Sequence, residues 1–243
     1  MIVIVCPGQG SQTPGFLAPW LELPGLRDQP IALSDAAEVD LVDRLGLPLV
    51  AIGTPVPGRA CVRIDDRGAM RTAVEHLAGL GHTRIGYIGA VPQNIAHVQT
   101  PQNRLEAFRE SVDQLGLTCD DAWVLGSDWT AEAAARDSAT LLSGDRRPTA
   151  IVAASDEMAI GVRESARRLG MSVPGDLSII GIDDFLLSEV LGLTTVRQDV
   201  AGPGRAAAEL LLRALLHDDE PTGEVVLPTE LIASRPFRRT RVN

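Results

Sequence analysis

From about residue 48 onward the chain alternates apolar runs of four to six residues with polar loops and segments of helical period. "PLVAIG" (48–53) and "RIGYIGA" (84–90) read as buried strands, as do "AWVLGS", "TAIVAAS" and "LSIIGI" further on. Between them, "GAMRTAVEHLAGLGH" sets Met70, Ala73, Val74, Leu77 and Leu80 on one helical face, with Gly81 at its C-terminal stop. "TPQNRLEAFRESVDQLG" predicts a helix opened by Thr100 and Pro101. "TAEAAARDSATLL" predicts one capped by Thr130. "SDEMAIGVRESARRLG" carries a Ser155 cap, acidic residues at its positive end and Arg167 and Arg168 at its negative end. A last helix spans "AGPGRAAAELLLRALLH", and "EVVLPTELIAS" reads as extended.

Runs that are apolar on both faces, separated by helices, predict an α/β fold of parallel sheets covered by helices. The first 45 residues follow the pattern less well, because Pro7, Pro14, Pro19, Pro24 and Pro30 exclude a long helix. That stretch reads as a strand, "MIVIV", then irregular chain, then a short helix over 34–45.

The net charge of −10 argues against nucleic-acid binding by this chain. All 22 basic residues are arginine, and the one basic cluster (Arg235, Arg238, Arg239, Arg241) reads as a solvated tail. Cys6, Cys61 and Cys119 show neither zinc nor disulfide-framework spacing and suit a reducing cytoplasm. "MIVIV" is too short for a signal peptide or a membrane span. The four histidines form no ligand-spaced pair, so no metal is expected. No dinucleotide fingerprint, P-loop or G-x-S-x-G elbow occurs.

Parallel α/β sheets take ligands at the C-terminal ends of their strands. The polar residues that follow the strands are Asn94, His97, Gln102 and Arg104, then Asp128 and Trp129, then Ser155 and Asp156, then Asp183 and Asp184. An arginine fork, carboxylates and an indole suit a polyhydroxylated ligand. Each residue also has a plainer reading: Arg104 as a surface charge, Trp129 as a core plug, Asp183 as a turn former.

Residues 43–236 resemble the effector-binding core of the lactose/galactose repressor (LacI/GalR) family of bacterial regulators. The resemblance rests on "AVEHLAGLGHTRIGYIG", "NRLEAFRESV", "PTAIVAASDEMAIGVRESARRLGMSVPGDLSIIGIDDF", "LTTVRQD" and "VVLPTELIAS". It implies a periplasmic-binding-protein-like fold of two α/β subdomains closing on a sugar or polyol. The N-terminal one, from 1–65 and 197–228, is truncated; the other comes from 66–196 and 229–243. By the same resemblance, Arg104, Trp129, Ser155, Asp183 and Gln198 contact the ligand. It implies a cytoplasmic homodimer with no cofactor, which meets DNA only through a headpiece that this sequence does not show. Ala107 is a mild departure from the family's usual glycine, and Gly53 stands where some members carry a contacting aspartate, which argues against lactose-like specificity.

Residues 1–42 resemble a different family, the N-terminus of malonyl-CoA:acyl carrier protein transacylases, in "MIVIVCPGQGSQTPGFLAPWLELPG". There the residue matching Gln9 helps form an oxyanion hole, but the serine elbow and the histidine segment are missing. The sequence therefore reads as a fusion and as a non-enzyme. The alternatives are a transacylase relative without its nucleophile, or a headless dimerisation partner of full-length regulators.

Overall fold

The β/α alternation folds into two sheets. The protein is described here by a computed structural model, which covers residues 3–5, 48–53, 55–90, 99–217 and 221–234. The short helix expected over 34–45, the glutamine-containing turn and the arginine tail lie outside the described residues. The chain divides into two compact units, changing from one to the other at Ile64/Asp65, Gln198/Asp199 and Pro228/Thr229, with a further short stretch ending at Thr100 assigned to the first.

The first unit holds a parallel sheet in the order β1 (Val3–Val5), β2 (Leu49–Ile52), β3 (Ala60–Ile64), β9 (Glu224–Leu227). Val3 stands opposite Leu49 and Val5 opposite Ala51. Helix α6 (Gly202–His217) packs on β2, β3 and β9, burying Ala207 and Leu211 against Val50, Ala60 and Val62. Strand β3 escaped the hydrophobic pattern because Arg63 interrupts it; that side chain pairs with Glu224 across the β3–β9 ladder.

In the second unit, β4 (Ile85–Ala90), β5 (Val124–Ser127), β6 (Ala150–Ala153), β7 (Ser178–Asp183) and β8 (Thr194–Gln198) run parallel. The sheet order is β10-β8-β7-β6-β4-β5, and the edge strand β10 (Thr229–Ile232) departs from the all-parallel expectation by pairing antiparallel with β8. Helices α1 (Asp66–Gly79), α2 (Thr100–Gln114), α3 (Ala131–Ser143) and α4 (Asp156–Arg168) cover it, and α5 (Ser188–Leu191) is a single turn. The chain steps outward from β4 to β5 and returns to β6 on the other side of β4. Right-handed crossovers then place α2 on one face and α3 and α4 on the other.

The predicted caps of α3 and α4 form. Thr130 accepts from Ala133 N and Ser155 from Met158 N, satisfying donors that a helix start leaves unpaired. Helix α1 starts two residues earlier than the pattern indicates, because Asp65 accepts from Gly68 N and serves as its cap. Met70, Ala73, Val74 and Leu77 are buried as expected, but Leu80 is 63% exposed: it lies past the last helical turn and leaves the face. His82 follows just past that helix. Its ring bridges Thr149 Oγ1 at 3.0 Å and Ser178 Oγ at 2.9 Å, joining the starts of three adjacent strands.

Candidate functional site

The order reversal beside β4 makes the C-terminal edge of β4 and β6 the switch point of the second sheet, where such folds open a crevice. Arg104, in the first turns of α2, lies at this edge with its side chain fully buried. Its Nε donates to Asp66 Oδ1 at 2.7 Å, and its Nη1 donates to the carbonyl of Ala154, just past β6. Among the described residues its Nη2 has no partner, which is rare for a buried guanidinium donor. Burial works against the charge, and the Asp66 and Asp183 carboxylates outweigh it, so the guanidinium holds its proton more firmly than usual.

Tyr87 lies on the α2 side of β4, its ring 5.1 Å from that of Phe108. Its buried hydroxyl likewise has no partner among the described residues. The hydroxyl occupies the space above Gly89, where a Cβ would come within 2.1 Å of it, so β4 needs a glycine there. Burial pushes the phenol far up, and Asp66 adds to this while Arg104 opposes it.

At the end of β7 the backbone bends sharply. Asp183 has φ 128° and Asp184 φ 58°, values that L-residues seldom adopt. The bend sends the two carboxylates to different partners. Asp183 accepts from Gln198 Nε2 at the end of β8, and Asp184 accepts from Arg197 Nε at 2.7 Å. Burial pushes the half-buried Asp183 carboxyl up to about 7, while Arg104 opposes the rise.

The structure thus gathers three of the five residues singled out in the sequence, Arg104, Asp183 and Gln198. The fourth, Ser155, adjoins Ala154 but uses its Oγ as the α4 cap. Trp129 follows β5, half-buried against the hydrophobic core, which is the plug reading. Gln102 is turned to Glu106 on the exposed side of α2 and Asp128 is exposed, so neither joins the cluster. Asn94 and His97 lie outside the described residues.

Asp156 corrects the sequence reading. It stood among the ligand-facing residues, yet it is fully buried and bound to protein groups on both oxygens. Oδ1 accepts from Thr195 Oγ1 at 2.6 Å; Oδ2 accepts from Ser188 Oγ at 2.6 Å and Phe185 N at 2.9 Å. It is a brace that holds the bend after β7. Gly181 admits it, since a Cβ there would lie 2.1 Å from its Oδ1. Asp66 and Tyr87 went unnoticed in the sequence, although the paired aspartates Asp65 and Asp66 at a helix start were the available signal. Among the described residues no group of three His, Cys, Asp or Glu could hold a metal ion.

A guanidinium with a spare donor, a carboxylate with a neutral amide partner and a strained strand end have the donor and acceptor chemistry that suits oxygens and hydroxyls. Residues 74–235 match the family described as "Periplasmic binding protein-like domain". The HTH-type transcriptional regulator MalR of Streptomyces coelicolor is 40% identical over 188 residues, covering 73% of this chain and 53% of that protein. The chain therefore spans about half the length of that curated relative. A LacI-family regulatory protein from Chloroflexus aggregans superposes with a TM-score of 0.73 at 34% identity, covering 81% of this chain and 71% of that one. The transcriptional regulator CelR in complex with cellobiose superposes with a TM-score of 0.72 at 30% identity, covering 82% and 62%.

Proposed function

The chain belongs to the periplasmic-binding-protein-like domains that form the effector-binding core of LacI-family regulators, and on that premise we propose that it binds a sugar or similar polyol and catalyses no reaction. The observation that carries this reading is the buried Arg104 with its free Nη2, set beside Asp183 and Gln198. Arg104 and Asp183 take the ligand's oxygens and hydroxyls, Gln198 steadies Asp183, and Trp129 and Ser155 line the same strand edge. In the whole regulator, ligand binding biases one of two conformations and so changes how DNA is held.

A panel of cellobiose, maltose, galactose, glucose and ribose tests the reading by thermal shift. One or more sugars is expected to raise Tm in a concentration-dependent way, as binding to the native state alone requires. A flat response to the whole panel sinks the proposal. The transacylase reading predicts a covalent mass adduct with malonyl-CoA, and none is expected.

The working unit is proposed to be a cytoplasmic homodimer. Support comes from Leu186 and Val190, 85% and 80% exposed, with Phe185 and Leu187 beside them in one apolar run around α5. Among the described residues no helix is long and apolar enough to cross a membrane. Sedimentation velocity is expected to give a dimer, and Leu186→Asp with Val190→Asp to give a monomer. A wild-type monomer at tens of micromolar protein would refute the assignment.

A further inference from the structure

Among the described residues the cluster brings three carboxylates together with one buried cation, Arg104. Asp66, Asp156 and Asp183 lie within electrostatic reach of one another or of Arg104. Asp66, at the start of α1, is engaged by Arg104 Nε. Asp156, at the start of α4, accepts three hydrogen bonds on its two oxygens. The Thr195 hydroxyl that serves it already accepts from Asp184 N, so its own hydrogen is directed to Asp156. Among the described residues Asp183 has a single hydrogen-bond partner, the uncharged amide of Gln198. The other charges nearby are committed elsewhere: Asp184 to Arg197, and Arg197 also to Glu230. Tyr87 on β4 is neutral.

We infer that Asp183 is the member of this cluster that carries a proton in the ligand-free protein, and that a hydroxylated ligand is taken up with release of that proton, so that affinity rises with pH across neutrality. The inference rests on the sugar-binding reading. It follows from donor count: a carboxylate with one neutral donor, near two other carboxylates, is the easiest to protonate. Burial and the repulsion from Asp156 and Asp66 push its carboxyl upward, against Arg104 and Gln198.

A carboxylate is an acceptor only, whereas a protonated acid offers one of its oxygens as a donor. Ligand hydroxyls that donate to Asp183 therefore favour the ionised form and lower its pKa. By linkage the proton leaves to buffer as the ligand binds. The site then senses pH and ligand together: acidification empties it, and ligand makes it more acidic.

Two measurements decide this. Carboxyl-carbon NMR of the ligand-free protein is expected to show one aspartate titrating near neutrality, lost in Asp183→Asn. Finding every aspartate titrating in the ordinary acidic range overturns the assignment. Calorimetry with cellobiose, and with the other four sugars of the panel, is then run at pH 6 and pH 8 in two buffers of different ionisation heat. Binding about tenfold weaker at pH 6, with proton release on binding, is expected. Equal affinity at both pH values, or no proton released, overturns the coupling and leaves sugar binding intact. Failure of every sugar to bind at pH 8 overturns the parent reading and the coupling together.

Discussion

Arg104→Ala is expected to abolish sugar binding and to lower the unfolding free energy by about 3–5 kcal/mol. The two losses have separate causes. Binding fails because, among the described residues, the guanidinium is the one buried cation that acts on Asp183. Stability falls because the substitution strips Asp66, 6% exposed, of its 2.7 Å ion pair and leaves the Ala154 carbonyl without its donor. Removing one partner of a buried ion pair costs far more than replacing the whole pair by apolar groups. Arg104→Met combined with Asp66→Leu should therefore recover most of the stability while remaining unable to bind. Urea unfolding with linear extrapolation reads the first quantity and calorimetry the second. If Arg104→Ala loses under 1 kcal/mol, or if the double variant binds sugar, the pair does not have this role.

Asp156→Ala is the second large effect, about 3–4 kcal/mol, because a buried acceptor serving three donors disappears at once. Ser188 and Thr195 are both fully buried, so water cannot replace the lost carboxylate at their hydroxyls. Asp156→Asn should lose about half as much, since the amide oxygen still accepts on one side. The loss reaches the site as well. Asp156 anchors Phe185 N and, through Thr195, Asp184 N, so without it the bend that presents Asp183 is no longer fixed. Asp156→Ala is thus expected to weaken sugar binding without touching the ligand. Intact affinity in a destabilised Asp156→Ala protein would show that the bend is held by something else.

Much of the second unit could be read in the sequence because its signals are local. Apolar runs, helical period, the Thr130 and Ser155 caps and the glycine stops all act within a few residues of one another. What the pattern missed depends on partners distant in the chain. Nothing near Asp66 in sequence points to Arg104, which is 38 positions away. Asp156 looked like a ligand contact because it follows a strand, and its true partners, Thr195 and Ser188, arrive more than 30 residues later. The antiparallel edge of β10 was hidden for a related reason, since a strand's direction is fixed by its neighbour and not by its own side chains. His82 stood at a helix end in the sequence, and only the assembled sheet gives it two hydroxyls to bridge.

Strands β9 and β10 are separated by Pro228 alone, yet each completes a different sheet. Both are made after every other described element. A chain emerging from the ribosome therefore displays the open edges of β3 and β8 until residues 224–232 are released, and neither unit closes from one continuous piece of sequence. Sheets finished by such late, long-range pairings form slowly. The order of synthesis thus makes a nascent chain halted before residue 224 incomplete in both units at once, with two unpaired strand edges exposed to other chains.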